Sequence, residues 1–236
     1  MDAGCDIILD SILNMDCMDG LKQIPDKSVD LIVMDPPYSF ARTEGAGAYG
    51  KSRPYFKELK TLAEGITNDF LDVLLAKEKS VNIYIWCNKA QLRQYFDYFE
   101  DRGCFTDLLT WHKTNPIPTC CNKYLSDTEY LFFAKGKGVK IYGSYETKRK
   151  WYVSDLNTSD KKKYSHPTIK PLEIIKNLII NSSLEGQTVL DPFMGSGTTA
   201  VACKQTGRHF IGFEIDPEYY QTAMRRLRES ETGKWF

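Results

Sequence analysis

The sequence has no apolar run approaching the ~20 residues that a membrane-spanning helix needs. Its start, Met1-Asp2-Ala3-Gly4-Cys5-Asp6, lacks the basic and then apolar pattern of an export signal, so a cytoplasmic protein is expected. Glycine and proline are few, 16 and 10 of 236 residues, which excludes a collagenous or linker-dominated chain. Net charge is absent, with 31 basic against 31 acidic residues, so any polyanion would have to be met by a local patch. The seven cysteines form an odd, scattered set, and Cys120-Cys121 has no second pair at zinc-finger spacing. Reduced thiols are expected rather than a disulfide framework or a metal site. What is present is an ordinary folded composition, 42% hydrophobic and 13% aromatic, in a length suited to one domain.

The charges are unevenly spread. Lys135 to Lys163 holds nine basic and three acidic residues, and Arg42 to Lys60 five and two, so two basic islands sit on an acidic body. That asymmetry suits a polyanion held at one face, and equally a solvated surface. Apolar, β-branched runs flanked by turn residues predict strands at 11–15, 29–34, 81–86, 105–111, 129–134, 188–190 and 210–213. Helical periods lie between several of them: Phe70, Val73 and Leu74; Leu92, Phe96 and Phe99; Leu172, Ile175, Leu178 and Ile179; Tyr220, Ala223 and Leu227. Such alternation predicts an α/β fold with a mostly parallel, doubly wound, seven-stranded sheet. Residues 105–134 show no helical period between their two strands, which predicts an antiparallel hairpin at one sheet edge. Residues 136–165 read as an irregular basic insert, and residues 40–60, with Gly45, Gly47 and Gly50, as a mobile loop.

Two strand ends carry the chemistry. The first is Thr188-Val-Leu-Asp-Pro-Phe-Met-Gly-Ser-Gly-Thr-Thr-Ala200, a strand, a glycine turn and a helix start. No lysine follows the second glycine, which argues against a phosphate-gripping loop. Asp191 at the strand tip would repel a pyrophosphate and attract a cationic ligand such as the sulfonium of S-adenosylmethionine; it could instead cap the following turn. Glu214 ends the next strand, where an acid takes ribose hydroxyls, although Glu214 or Asp216 could cap the helix from Pro217. For Asp216 the cap is preferred. The second strand end is Asp35-Pro36-Pro37-Tyr38. Two prolines hold the chain extended and fix backbone carbonyls as acceptors, Asp35 adds a carboxylate, and Tyr38 offers a flat ring. Such a cluster suits an amino group with hydrogens to donate.

Asp35-Pro-Pro-Tyr38 together with Asp191-Pro-Phe-x-Gly-x-Gly197 resembles the S-adenosylmethionine-dependent DNA amino methyltransferases. With the tetrad early, the glycine motif late and His166-Pro-Thr-Ile-Lys-Pro171 before it, the order is similar to the beta class. The resemblance implies a Rossmann-like methyltransferase fold with circularly permuted motifs. It implies a cofactor lined by Asp191, Pro192, Phe193, Gly195 and Gly197, its ribose on Glu214 and its adenine amine on Asp16. Thr168, Lys170, Ser196 and Thr198 would lie near the methionine part. Asp16 or Asp19 could alternatively cap a helix over 20–24, and His166 is read as orienting its proline-rich turn, with no acid-base role.

The implied reaction is direct attack of an exocyclic amine, its hydrogens held by Asp35 and the Pro36 carbonyl, on the cofactor's methyl group. A stacked base is out of reach, so the base is flipped out and stacked on Tyr38. In this family such a tetrad more often accompanies adenine N6 than cytosine N4. Target recognition would fall to the basic insert, with Lys148, Arg149, Lys150, Trp151, Lys161, Lys162 and Lys163, aided by Arg42, Lys51 and Arg53. Duplex DNA is the expected partner, with a homodimer and a cognate restriction endonuclease as further ones. Competing readings are methylation of an RNA or protein amino group, a DNA-binding module without activity, and, opposed by Asp191, an NAD enzyme.

Overall fold

Each of the seven apolar runs is a strand in the computed structural model, which describes residues 9–37, 65–116, 118, 124–156, 158–164 and 169–232. In chain order the strands are β1 (Ser11–Asn14), β2 (Leu31–Met34), β3 (Asn82–Cys87), β4 (Phe105–Lys113), β5 (Thr128–Lys135), β6 (Trp151–Ser154), β7 (Thr188–Asp191) and β8 (His209–Glu214). The helices are α1 (Cys17–Leu21), α2 (Asn68–Ala76), α3 (Leu92–Glu100), α4 (Thr158–Lys163), α5 (Leu172–Ser182), α6 (Thr198–Thr206) and α7 (Pro217–Thr232). None of them is long and apolar enough to cross a membrane.

All eight strands form one sheet in the order β1-β8-β7-β2-β3-β5-β4-β6. Every residue of β2 and β3 is buried, as expected of central strands covered on both faces. Alternate side chains feed two cores. Val33 joins residues of α5, α6 and α7 on one face, including Leu178, Ala200 and Leu227. Ile32 and Met34 join residues of α1, α2 and α3 on the other, including Leu21, Leu71 and Phe99. The sheet is therefore doubly wound, as the alternation of strand and helix signals predicts.

The sequence expectation differs from the structure at one edge. Strand β5 is antiparallel to both its neighbours, β3 and β4, so the antiparallel pair lies one strand inside the edge. The edge itself is an eighth strand, β6, taken from the basic insert and paired parallel to β4 through Thr110↔Trp151 to Lys113↔Ser154. It forms because its residues alternate: Trp151 and Val153 are exposed while Tyr152 packs on the core. The Trp111 indole donates to Ser154 Oγ at 2.9 Å and fastens it.

Strands β7 and β8, from the last quarter of the chain, lie between β1 and β2. Strand β7 leads through α6 to β8 on one side, and β2 leads to β3 on the other. The order of the sheet thus reverses between β7 and β2, which pair through Leu31↔Val189 and Ile32↔Leu190. Ligands of open α/β sheets bind beyond the carboxyl ends of the strands at such a reversal. Asp191 and Asp35 stand at those two ends.

Candidate active site

Beyond β7 the chain makes the turn 192–197 and enters α6. Gly197 holds the helix N-cap at φ +81°, in the left-handed region, where a Cβ would stand 2.9 Å from Ala223 Cβ. The turn lies over β8, with Met194 N donating to Phe213 O at 2.8 Å. Asp191 is buried and braces it: Oδ1 accepts from Phe193 N at 3.0 Å and Oδ2 from Thr199 Oγ1 at 2.6 Å. Burial pushes the Asp191 carboxyl up to about 7, against those two bonds, and the charges of Asp35 and Glu214 push the same way. A buried acid in this condition favours a cation beside it.

Glu214 is tied to the same turn, accepting from Gly195 N at 2.7 Å through Oε2 and from Asp216 N at 2.8 Å through Oε1. Burial raises its carboxyl as well. Asp216, not Glu214, caps α7, accepting from Glu218 N and Tyr219 N at 2.8 and 3.2 Å. Asp16 caps α1, which starts three residues earlier than its expected 20–24, by accepting from Met18 N at 2.8 Å. The neighbouring Met15 N donates to Glu214 O, so Asp16 and Glu214 share one end of the sheet. Phe193 is half-buried with its ring 5.7 Å from that of Phe70.

On the β2 side, Asp35 is partly exposed, Pro36 buried and Pro37 partly exposed. Asp35 Oδ2 pairs with Lys170 Nζ at 2.8 Å, and the same ammonium lies 3.0 Å from Glu129 Oε2. Lys170 is buried with its Nζ 4.9 Å from the centre of the Trp86 ring. Lys170, expected near the cofactor's methionine part, joins Asp35 to a strand-borne glutamate. Cys17, which opens α1, and Cys87, which closes β3, are pushed up to about 12 by burial, which denies a thiolate nucleophile there at neutral pH.

Sequence reasoning missed Arg226. Its buried Nη1 donates to Ser196 O, Ser196 Oγ and Thr198 Oγ1 at 2.9, 2.7 and 2.9 Å, so both hydroxyls expected at the cofactor are engaged from below by α7. The guanidinium also stacks 4.9 Å from the Tyr164 ring, whose hydroxyl donates to Glu229 Oε2 at 2.7 Å. The available signal was a basic residue three positions after Ala223 on the apolar stripe of α7.

Within the basic insert, Trp151 is half exposed with the Arg149 guanidinium 5.3 Å from its ring centre. Lys150 pairs with Asp107 at 2.7 Å and Lys163 with Glu229 at 3.1 Å. Lys161 is partly buried, and burial lowers its ammonium. Lys148 and Lys162 are exposed. Tyr38, Arg42, Lys51, Arg53 and Thr168 lie outside the described residues, as do loop 40–60 and His166.

Residues 29–225 match the sequence pattern of the N6/N4 type described as DNA methylase. Among curated proteins, the Type II methyltransferase M.HinfI of Haemophilus influenzae is 31% identical over 262 residues, 94% of this chain and 69% of that protein. The Type II methyltransferase M2.DpnII of Streptococcus pneumoniae is 29% identical, with 94% and 91% covered. Among solved structures, the complex of M1.HpyAVI with SAM superposes with a TM-score of 0.70 at 27% identity, covering 92% of this chain and 98% of that one. The cytosine-N4-specific PvuII DNA methyltransferase shares the fold, with a TM-score of 0.70 at 17% identity over 92% of this chain and 86% of that one.

Proposed function

Because the chain belongs to the DNA methylase family, we propose that it transfers a methyl group from S-adenosylmethionine to the N6 amino group of a flipped-out adenine in duplex DNA. At the coarser level it is an S-adenosylmethionine-dependent DNA amino methyltransferase of the N6/N4 type. The observation that supports methyl transfer to an amine at this site is one juxtaposition: the Asp35-Pro36-Pro37 turn and the Asp191 glycine turn leave adjacent, hydrogen-bonded strands at the same end of the sheet.

The residues fit the cofactor. Its sulfonium suits the buried carboxylate of Asp191, its ribose and adenine amine suit Glu214 and Asp16, and Phe193 offers an apolar wall. Gly195 and Gly197 keep the turn's backbone bare and Pro192 fixes its entry, and the family resemblance assigns Thr168 to the methionine side. Ser196 and Thr198 shape that turn through Arg226. When bound, the cofactor supplies an electrophilic methyl group.

The chain's own contribution is positioning. An amine conjugated with a base ring is a poor nucleophile, and acceptors for its two hydrogens, Asp35 and the Pro36 carbonyl, favour a pyramidal nitrogen with an exposed lone pair. Pro37 holds that carbonyl in place, and Tyr38 stacks on the flipped base. Cytosine N4 could use the same acceptors; the tetrad favours adenine only through the family resemblance.

DNA is held by the basic insert: Lys148, Arg149 and Lys162 on phosphates, with Trp151 beside the bases, and Arg42, Lys51 and Arg53 from the loop. Lys150, Lys161 and Lys163 assist, though Lys150 and Lys163 also serve Asp107 and Glu229. A cytoplasmic homodimer working beside a cognate endonuclease completes the reading.

The test is Asp35→Ala. The single-turnover rate of methyl transfer is expected to fall on the order of 100- to 1,000-fold, as when a preorganised polar partner of the reacting group is removed. Cofactor affinity measured by calorimetry stays close to wild type. Undiminished transfer would remove Asp35 from the chemistry.

A further inference from the structure

Beside Asp35 stands a row of charges that the reaction as described does not use. Lys113 Nζ lies 2.8 Å from Glu129 Oε1, Glu129 Oε2 lies 3.0 Å from Lys170 Nζ, and Lys170 Nζ lies 2.8 Å from Asp35 Oδ2. The inverted direction of β5 explains how Glu129 comes to be there. Because β5 runs against its neighbours, its first residues, not its last, reach the end of the sheet where the parallel strands finish: Tyr130 pairs with Cys87 and Glu129 with Trp111.

The environment makes the row more than a surface ion pair. Lys170 is buried against the Trp86 ring, where an ammonium must be neutralised by neighbours rather than water. Burial raises the Glu129 carboxyl, yet Lys170 and Lys113 outweigh it and hold the group below the ordinary carboxylate range, so Glu129 is ionised. Lys170 therefore sits between two carboxylates. A bond to Oδ2 fixes the rotation of the Asp35 carboxylate, which a directional acceptor for an N–H requires. A lysine paired with Asp35 alone would also draw charge from it and weaken it as an acceptor. Sharing that lysine with Glu129 offsets part of that weakening.

We propose that Glu129 is a positioning residue for methyl transfer, holding Lys170 so that Lys170 orients the Asp35 carboxylate towards the target amine. The proposal rests on the reading of Asp35 as the acceptor for that amine, and nothing in the sequence motifs marks Glu129 for it.

The experiment measures single-turnover transfer to saturating duplex DNA, and S-adenosylmethionine affinity by calorimetry, for wild type, E129Q, K170M, K170R and E129Q/K170M. Both E129Q and K170M are expected to lower the transfer rate at least about tenfold, as partners in one buried ionic network do when either is removed. Cofactor affinity stays within a few-fold of wild type, and K170R recovers part of the rate that K170M loses. The double variant is no slower than K170M, because Glu129 acts through Lys170. If K170M does not fold, by circular dichroism, then E129Q against K170R carries the comparison. Wild-type transfer by E129Q, or a loss of cofactor affinity that accounts for the slower rate, overturns the proposal. A wild-type protein that binds cofactor and leaves DNA unlabelled instead overturns the functional reading beneath it.

Discussion

Asp191 illustrates how one residue can serve structure and chemistry together. Its carboxyl accepts from Phe193 N and Thr199 Oγ1, so the turn-capping reading is realised, and burial still pushes it up to about 7. The folded protein thus keeps this proton up to about pH 7, whereas the unfolded chain releases it near 3.8. Between those values the folded state binds more protons, so Asp191 makes stability fall as pH rises through that window. A cationic ligand favours the ionised form, so cofactor affinity should move the opposite way. It is expected to rise by up to about tenfold per pH unit below 7, level off above, and release a proton on binding. Calorimetry in buffers of different ionisation enthalpy reads the proton directly. Asp191→Asn should flatten the profile, and a flat profile in wild type would take Asp191 away from the cofactor's charge. Asp191 and Asp35 were legible because each stands at the end of an apolar run beside prolines or glycines. Glu129 and Arg226 were not, since Glu129 opens an apolar strand, Arg226 is one of three arginines at 225, 226 and 228, and their partners, Lys170 and Ser196, are distant in sequence.

Among the elements, α6 has the most constrained start. Gly197 is at φ +81° and its missing Cβ leaves room for Ala223 of α7, so the left-handed turn and the helix contact are one requirement. Gly197→Ala is expected to cost about 2 kcal/mol or more from backbone strain and crowding together, which lowers Tm by several degrees and weakens cofactor binding. Thermal unfolding followed by circular dichroism checks it, and an unchanged Tm would contradict the geometry. Strand β6 shows the opposite case, an element that the sequence hid. Its alternation spans only four residues between clusters of lysine and arginine, and in a polar segment so short a period carries little signal. The place of β5 between β3 and β4 was hidden for another reason: each strand's pattern reports which residues face the core, not which neighbour it pairs with.

For the whole molecule, the sheet order places β7 and β8 between β1 and β2, so the glycine turn and Glu214 come from the last quarter of the chain, and Asp16 and the Asp35 turn from the first. The two parts pair along β2 with β7 and along β1 with β8. The seven strand runs, the helices between them and the two turns at that seam could be read from the sequence because buried strands, glycine turns and helix caps are local. Their assembly at one end of the sheet is a long-range fact that only the fold supplies. The basic insert adds a charged surface to an otherwise acidic body, through β6 and α4, on the far side of the sheet order from β1. The most direct measurement gives purified protein methyl-labelled S-adenosylmethionine and unmethylated duplex DNA, then digests the DNA and identifies labelled nucleosides by mass spectrometry. The account predicts labelled 6-methyladenine; labelled 4-methylcytosine would keep the acceptor chemistry and correct the base. DNA without any labelled base, from protein shown to bind the cofactor, would contradict it.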